Sequence, residues 1–288
     1  MTPRVCRFKT NRGEVRAGLL SENLQQVRDL APAGIDRLEL LLESQDPAGE
    51  LQRPDVAKLP AVPLASVELL APVERQEIWA AGVTYLRSKV ARMEESDFSA
   101  TAYDRVYEAE RPEIFFKCLP EKAVPAGQPV GIRRDAVWNV PEPELALVMN
   151  SGGRIVGCTI GNDMSSRDIE GENLLYLPQA KIYDRSCAIG PWIALGVSES
   201  DARRWTIGVD IQRGGAQVFA GETSVSQIKR GFDDLVQFLF RSQMFPHGAV
   251  LLTGTGVIPP DSFTLQPADV VNIHVSGIGT LTNPVVVV

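Results

Sequence analysis

The sequence predicts a mainly β fold with some α-helix. Short apolar runs bounded by Gly, Asn and Pro recur along the chain, as expected for strands separated by turns. The clearest pair is residues 145–149 and 154–160, which the turn at 150–153 joins as a predicted hairpin. Helical spacing of apolar residues is clearest over 225–240. The 288 residues suffice for one large domain and a small one.

Composition limits the classes of partner. The net charge of −7 and a pI of about 5.1 argue against nucleic acid or an anionic membrane surface as the main partner. No apolar run approaches the roughly 20 residues that span a bilayer, and no signal peptide follows the first residues. Four cysteines without paired spacing favour reduced thiols. We therefore expect a cytoplasmic protein.

The N-terminal part predicts a small α+β domain over residues 1–71. Strands are expected at 5–8 and 15–20, and short helices at 21–30 and 34–42. Residues 53–72 contain four prolines and are typical of a connector. We find no chemistry in this part, which is expected to pack on the remainder, residues 72–288, or to support oligomerisation.

The segment from residue 78 to 118 leads toward a candidate site. An apolar strand over 78–85 precedes a charged helix at 86–95, and a second helix-like stretch at 96–110 is either a lid or an ordinary solvated helix. Glu113 then precedes Phe115 and Phe116. If Glu113 points inward, burial raises its pKa and makes it a usable general acid or base. If it points outward, it is a surface charge.

Three carboxylates predict a metal site. Glu142 and Glu144 alternate, so an extended strand directs both to one face, and Asp163 ends the second strand of the predicted hairpin. Such carboxylates repel each other unless a cation lies between them. Oxygen ligands suit Mg²⁺, with Mn²⁺ as an alternative. The competing interpretation is that these are solvated edge-strand and turn residues.

The wider pattern resembles the fumarylacetoacetate hydrolase family. Its elements are E-x-E at 142–144, N-D-x-S-x-R-D at 162–168, K-x-x-D at 181–184 and G-P-W at 190–192. Pro112, Phe115 and Lys117 match the family's P-x-x-F-x-K strand, and the loop around Thr255 resembles its G-T-x-x-G substrate loop. The resemblance covers about three quarters of the chain and implies a mixed β-sandwich roll with a small N-terminal α+β domain.

One departure from the family narrows the reaction. Hydrolytic relatives carry G-x-N-Y-x-x-H, with the histidine as base for water; here Gly82 and Tyr85 match, Thr84 replaces the Asn and Ser88 the His. The missing histidine, with Glu113 and Lys181, resembles the branch that dehydrates 2-keto-3-deoxy sugar acids of the arabinonate type to 2,5-dioxopentanoate. The resemblance thus implies a Mg²⁺-dependent lyase of pentose catabolism.

The expected mechanism proceeds through a metal-stabilised enolate of a 2-oxo acid. Glu113 protonates the leaving C4 hydroxyl. Lys181 is the base that removes the C3 proton, or a charged group that steadies the enolate, or a structural partner of the metal carboxylates. Expected substrate contacts are Thr84, Ser88, Arg167 and Thr255.

Two other functions stay open from the sequence. One is a family hydrolase or decarboxylase acting on acylpyruvates, fumarylpyruvate or oxaloacetate. The other is a non-catalytic, metal-stabilised scaffold. The resemblance also implies a homodimer or homotetramer and a small 2-oxo acid as the substrate.

Overall fold

The structure is a computed structural model that describes residues 2–86 and 105–288. Within them, eighteen strands form three sheets, which confirms the mainly β prediction. The strands are β1 Arg4–Lys9, β2 Val15–Leu20, β3 Gln26–Asp29, β4 Ala61–Pro63, β5 Glu68–Leu70, β6 Glu77–Gly82, β7 Glu113–Cys118, β8 Val130–Ile132, β9 Asn139–Val140, β10 Pro143–Met149, β11 Ile155–Asp163, β12 Ser165–Ser166, β13 Cys187–Leu195, β14 Thr206–Arg213, β15 Ala216–Ser224, β16 Ala249–Leu252, β17 Val270–Val275 and β18 Gly279–Val287.

Within residues 2–86 and 105–288, the α-helices are few and short. In chain order they are α1 Leu38–Leu42, α2 Pro47–Glu50, α3 Pro54–Ala57, α4 Arg167–Glu172, α5 Leu177–Lys181, α6 Glu199–Ala202 and α7 Phe232–Phe240. Residues 105–108 are also helical. No helix in the described ranges has the length and apolar character needed to cross a membrane.

The largest sheet has eleven strands. Their order is β4-β3-β2-β1-β13-β11-β10-β16-β6-β7, and β5 pairs with β1. Most neighbours are antiparallel, whereas β16 and β6 run parallel. A five-stranded sheet, β15-β14-β17-β18-β8, and the pair β12-β9 complete the fold. The predicted hairpin is present, since β10 and β11 pair antiparallel from Pro143–Asn162 to Met149–Ile155.

The central strand β10 is buried on both faces because successive residues enter different cores. Leu145 and Leu147 lie in a core with the five-stranded sheet and α7. Ala146 and Val148 lie in a second core with apolar residues of α1 and α3. This two-sided packing explains the continuous apolar run in the sequence, and it fixes the strand ends that carry the predicted metal ligands.

The N-terminal segment extends the large sheet, because β1 pairs with β13. The helix expected at 21–30 is wrong: the Ser21 N–H donates to the Gln26 carbonyl at 2.9 Å, which closes a turn, and β3 then pairs with β2. The helix expected at 34–42 is confined to α1. The domain boundary after residue 71 stays a prediction.

A buried carboxylate connects the N-terminal helices to the rest of the chain. Glu39 of α1 accepts hydrogen bonds from Arg37 at 2.7 Å and from Arg75 at 2.8 and 2.5 Å, and lies 3.0 Å from Nδ1 of His247. Burial alone raises the pKa of Glu39, but the Arg75 hydrogen bond and the nearby positive charges outweigh it and leave that pKa below its ordinary value. Glu39 is therefore ionised, and its carboxylate connects α1 to Arg75 and His247 in the later part of the chain.

Three predictions fall on residues outside the described ranges. These are most of the helix expected at 86–95, most of the candidate lid at 96–110, and Ser88 as a substrate contact. They stay predictions.

Candidate metal and substrate site

The three predicted metal ligands lie together at one end of β10 and β11. Glu142 immediately precedes β10, Glu144 is its second residue, and Asp163 ends β11. The Asp163 N–H donates to the Glu142 carbonyl at 3.0 Å, which holds the two strand ends together. One carboxylate oxygen from each residue lies within 4.8 Å of the others, and the residues are only 1–3% exposed. They are therefore not solvated edge-strand charges.

Lys181 contacts two of these carboxylates from the C-terminal end of α5. Its Nζ donates to Glu142 Oε2 at 2.6 Å, to Asp163 Oδ2 at 3.0 Å and to the Ser165 hydroxyl at 2.5 Å. The charged ammonium form of Lys181 has three N–H donors, which matches these three acceptors. The arrangement therefore favours a charged Lys181 that holds the two carboxylates and Ser165 together.

Lys117 supplies a second buried cation behind Asp163. Its side chain is fully buried on β7, and its Nζ forms an ion pair with Asp163 Oδ1 at 2.5 Å. The same nitrogen donates to the carbonyls of Met164 at 3.1 Å and Lys181 at 2.5 Å. Both oxygens of Asp163 therefore face a lysine, which fixes the orientation of this carboxylate.

Arg167 provides the third cation. It begins α4, is 1% exposed, and its Nη2 lies 2.8 Å from Glu142 Oε1. Its backbone N–H donates to the Trp138 carbonyl at 2.7 Å, which anchors the start of the helix. Glu142 thus has an ion-pair partner at each oxygen, Arg167 at one and Lys181 at the other.

Glu144 is the least compensated member of the group. Its Oε2 accepts a hydrogen bond from the Gly254 N–H at 2.6 Å. Burial, followed by the negative charges of Asp163 and Glu142, raises the pKa of Glu144 well above its ordinary value. A cation at this position would relieve that repulsion, and a cluster of carboxylate oxygens is the donor set that Mg²⁺ and Mn²⁺ prefer. The residues present therefore fit the predicted ion.

Glu113 approaches the site from the neighbouring edge of the sheet. It begins β7 and pairs with Gly82 at the end of β6. A Cβ on Gly82 would lie 2.0 Å from Glu113 Oε2, so the carboxyl group folds over the glycine into space that a side chain would fill. Gly82 is thus required for this position of Glu113.

These groups line one small cavity with a volume of about 20 Å³. Its lining is Ala81, Gly82, Val83, Glu113, Phe115, Glu142, Glu144, Asp163, Glu170, Leu177, Lys181, Gly254 and Thr255. The inward position expected for Glu113 is confirmed. The chain has two histidines, and neither lines the cavity: His247 contacts Glu39, and Nε2 of His274 lies 2.7 Å from Asp210 Oδ2.

Of the four expected substrate contacts, Thr84, Arg167 and Thr255 lie in the described residues, and only Thr255 lines the cavity. Thr255 lines the cavity, with its hydroxyl 3.2 Å from the Val257 carbonyl. Thr84 is fully buried behind the loop, and its hydroxyl donates to the Thr253 carbonyl at 2.6 Å. Arg167 contacts Glu142 rather than the cavity space. This geometry supports Thr255 as a substrate contact, whereas Thr84 and Arg167 lie where they position the loop and a metal ligand.

Sequence reasoning missed three residues around the site. Lys117 is in the matched P-x-x-F-x-K strand, but nothing in its neighbourhood indicated that its amine reaches Asp163. Ser165 accepts from Lys181, and Glu170 lines the cavity from α4. The sequence offered one signal for Glu170: it follows Arg167 by three residues, and residues i and i+3 of a helix share a face.

Comparisons with known proteins identify the same family as the sequence motifs. The family model described as "Fumarylacetoacetate (FAA) hydrolase C-terminal" matches residues 77–286. A probable 2-keto-3-deoxyxylonate dehydratase from Haloferax volcanii is 48% identical over 217 residues, which are 75% of this chain and 74% of that protein. The 2-dehydro-3-deoxy-D-arabinonate dehydratase of Saccharolobus solfataricus is 39% identical over 222 residues, with 76% and 74% covered.

A solved structure extends this similarity to the whole fold. A 2-keto-3-deoxy-D-arabinonate dehydratase complexed with magnesium and 2,5-dioxopentanoate superposes with a TM-score of 0.81 at 30% identity, covering 99% of both chains. The family model covers well over half of the present sequence, including every strand from β6 to β17. The chain therefore belongs to the fumarylacetoacetate hydrolase family.

Proposed function

We propose that this protein is a Mg²⁺-dependent hydro-lyase that dehydrates a 2-keto-3-deoxy-pentonate of the arabinonate or xylonate type to 2,5-dioxopentanoate. The observation that carries the proposal is the convergence of a buried carboxylate triad, Lys181 and Glu113 on one cavity without a histidine. The two dehydratases that share 39–48% identity with this chain support the same reaction.

Glu142, Glu144 and Asp163 would hold the ion. When bound there, Mg²⁺ acts as a Lewis acid toward the keto oxygen of a 2-oxo acid and so lowers the pKa of the protons at C3. The surrounding cations keep Glu142 and Asp163 in place, since Lys117, Lys181 and Arg167 each contact one or both of them. Glu144 is held by the Gly254 N–H instead. Mn²⁺ has similar ligand preferences and is expected to substitute.

Lys181 and Glu113 take different parts in the proposed reaction. Because the Lys181 ammonium donates to Glu142, Asp163 and Ser165, it acts as a fixed positive charge near the carboxylate and keto end of the substrate. Glu113 is then the group that moves protons: it takes one from C3 and returns it to the C4 hydroxyl oxygen, which leaves as water. Loss of a proton from C5 of the unsaturated product and protonation at C3 give an enol, and transfer of the enol's hydroxyl proton to C4 gives the aldehyde of 2,5-dioxopentanoate.

The lack of a histidine in the cavity weighs against a hydrolase. Hydrolysis of an acylpyruvate requires a base that activates water, and two carboxylates of the cavity, Glu142 and Asp163, are ion-paired with buried cations. The scaffold alternative leaves unexplained why Glu113 and Lys181 face the same space as the triad.

The test is a substrate panel with purified protein. We expect formation of 2,5-dioxopentanoate from 2-keto-3-deoxy-pentonates with Mg²⁺ or Mn²⁺, its loss with a chelator, and slow or no turnover of oxaloacetate and acylpyruvates. Glu113→Gln should lower kcat by at least about 100-fold, the range expected for loss of a general acid–base group. Turnover of oxaloacetate or an acylpyruvate alone would indicate the hydrolase or decarboxylase, and no effect of Glu113→Gln or Lys181→Ala on any turnover or binding would indicate the scaffold.

We also propose that the enzyme works in the cytoplasm as a homodimer or homotetramer. All four cysteines are buried and unpaired, as suits a reducing compartment. Light scattering on the purified protein measures the oligomer directly, and a monomer would contradict this part of the proposal.

A further inference from the structure

Residues 228–230, which we call the anchor segment, are held in place by a side chain of another element. The guanidinium of Arg203, which follows α6, donates to the carbonyls of Ile228 at 2.9 Å and Arg230 at 2.8 Å. Arg203 also donates to the Glu199 carboxylate at 2.7 Å, and the Ile228 side chain is buried in the core. The backbone of the anchor segment is therefore fixed, although the proposed reaction gives it no role.

The anchor segment contacts the chain just beyond β6. The Lys229 N–H donates to the Thr84 carbonyl at 3.0 Å. Thr84 lies two residues after Gly82, which ends β6 and pairs with Glu113 at the start of β7. One of the two strands that meet at Glu113 is thus connected to the anchor segment by a backbone hydrogen bond.

The side chain of Arg230 holds the chain that leads into the other strand, β7. Its Nη2 donates to the carbonyls of Val106 at 3.0 Å and Ala109 at 2.7 Å, and its Nη1 donates to the carbonyl of Glu110 at 3.0 Å. Residues 105–108 are helical. Because the last carbonyls of a helix have no N–H partner within it, a cation at this end satisfies them and is favoured by the helix dipole.

The position of Glu113 depends on both of these connections. Glu113 is the first residue of β7, so strand pairing constrains it on one side only, and the chain from residue 106 to 112 constrains it on the other. We infer that Arg230 is a positioning residue, which holds residues 106–110 and thereby fixes the Glu113 carboxyl group over Gly82 in the cavity. The inference rests on the proposed function, because that function makes Glu113 the group that moves protons.

The alternative is that the pairing of β6 with β7 places Glu113 without help. Loss of the Arg230 side chain would then lower stability and leave the chemistry unchanged. A test must therefore separate proton transfer by Glu113 from folding and from ligand binding.

Exchange of the C3 hydrogens of pyruvate in D₂O with saturating Mg²⁺, followed by NMR, measures the proton removal assigned to Glu113. In this reaction Glu113 takes a proton from C3 and returns a deuteron obtained from solvent, so no pentonate is needed. Arg230→Gln should lower the exchange rate at least about tenfold, since a misplacement of about 1 Å can cost about 100-fold. The Kd values of Mg²⁺ and pyruvate should stay within about twofold of wild type, as expected for residues that share no partner.

Arg154→Gln is the matched control. Arg154 also donates to two backbone carbonyls, those of Ser44 at 2.6 Å and Gln45 at 2.8 Å. It immediately precedes β11, whose other end carries Asp163. Arg154→Gln should therefore lose hydrogen bonds of the same kind and keep the wild-type exchange rate.

Two further measurements keep the inference open to refutation. Amide hydrogen exchange, read by mass spectrometry, should be faster over residues 106–113 in Arg230→Gln than in Arg154→Gln. If Arg230→Gln does not fold, as judged by circular dichroism, Arg230→Lys replaces it. That variant should also lower the pyruvate exchange rate, because one nitrogen replaces the two that the three hydrogen bonds require.

An unchanged pyruvate exchange rate in the Arg230 variant, or an equal fall in Arg154→Gln, would overturn the inference. Unaltered amide exchange over residues 106–113 would count against it in the same way. Absence of pentonate turnover in wild-type protein would refute the dehydratase, whereas the pyruvate exchange rate still decides the role of Arg230. Wild-type protein that exchanges no pyruvate hydrogen, or whose exchange survives Glu113→Gln, would exclude Glu113 as the base and the role of Arg230 with it.

Discussion

Replacing Lys117 by Met should destabilise the protein far more than an ordinary lysine substitution. The Lys117 amine is fully buried and its Nζ is 2.5 Å from Asp163 Oδ1, so Lys117→Met leaves a buried carboxylate oxygen without its cation. Removing one partner of a buried ion pair costs about 3–5 kcal/mol. In a chain of this size, 1 kcal/mol corresponds to roughly 2–4 °C in Tm, so the metal-free protein should melt about 10 °C lower.

Thermal unfolding in the presence of a chelator, followed by circular dichroism, measures this effect. Lys122→Met is the matched control because Lys122 is exposed, and surface substitutions usually change stability by less than about 0.5 kcal/mol. Adding Mg²⁺ should restore part of the lost stability, about 2.7 kcal/mol when the free Mg²⁺ concentration is 100 times Kd and the ion binds only the folded chain. A Tm for Lys117→Met within 2 °C or so of the Lys122→Met value would refute the reasoning about the charge balance of the triad.

Three further changes test separate parts of the structure. Glu39→Gln should lower the free energy of unfolding, measured by chemical denaturation, by about 2 kcal/mol at pH 7. Because the pKa of Glu39 is depressed in the folded protein, its contribution to stability is lost as the pH falls through that folded pKa. An equal destabilisation by Glu39→Gln at pH 7 and at pH 3 would contradict this prediction. Gly254→Ala should weaken Mg²⁺ binding in calorimetry, because Gly254 has φ of 89° and its N–H holds Glu144; unchanged affinity would contradict this. Gly82→Ala should displace Glu113 and lower kcat while Mg²⁺ binding persists, and an unaltered kcat would count against the role of Glu113.

The sequence predicts the metal site well because the site follows from local rules. Alternation along a strand directs Glu142 and Glu144 to one side, and a four-residue turn returns the chain so that Asp163 ends beside them. No information from distant parts of the chain is needed for these three residues. The burial of β10 on both faces is likewise visible in its uninterrupted apolar run.

The cations around the triad could not be predicted in the same way. Lys117 is 46 residues from Asp163, and its contact depends on β7 and β11 belonging to one sheet in the order that the fold adopts. Glu170 faces the cavity because of how α4 packs, which the short helix itself does not specify. The resemblance to a family named the residue types of the site, whereas the partners of each residue depend on tertiary structure.

In the N-terminal segment, the local sequence pattern did not predict the conformation of residues 21–30. Residues 21–30 are polar and lack strong turn signals, so helix and strand were hard to separate by pattern. The structure forms a tight turn in which Leu24 has φ of 57°, and β3 then gains its hydrogen bonds from β2. Pairing with a neighbouring strand decided the conformation, as is common where local preference is weak.

Glu142, Glu144 and Asp163 are expected to bind a single divalent ion. Calorimetric titration of metal-free protein with Mg²⁺ tests it most directly, with Glu144→Gln as the variant, because that change removes a carboxylate oxygen and leaves the Glu142 and Asp163 ion pairs intact. We expect one ion per chain in the wild type, an affinity at least about 100-fold weaker in Glu144→Gln, and no change in the exposed control Glu121→Gln. Wild-type protein that binds no Mg²⁺ or Mn²⁺, or a Glu144→Gln variant that binds it equally well, would contradict the account.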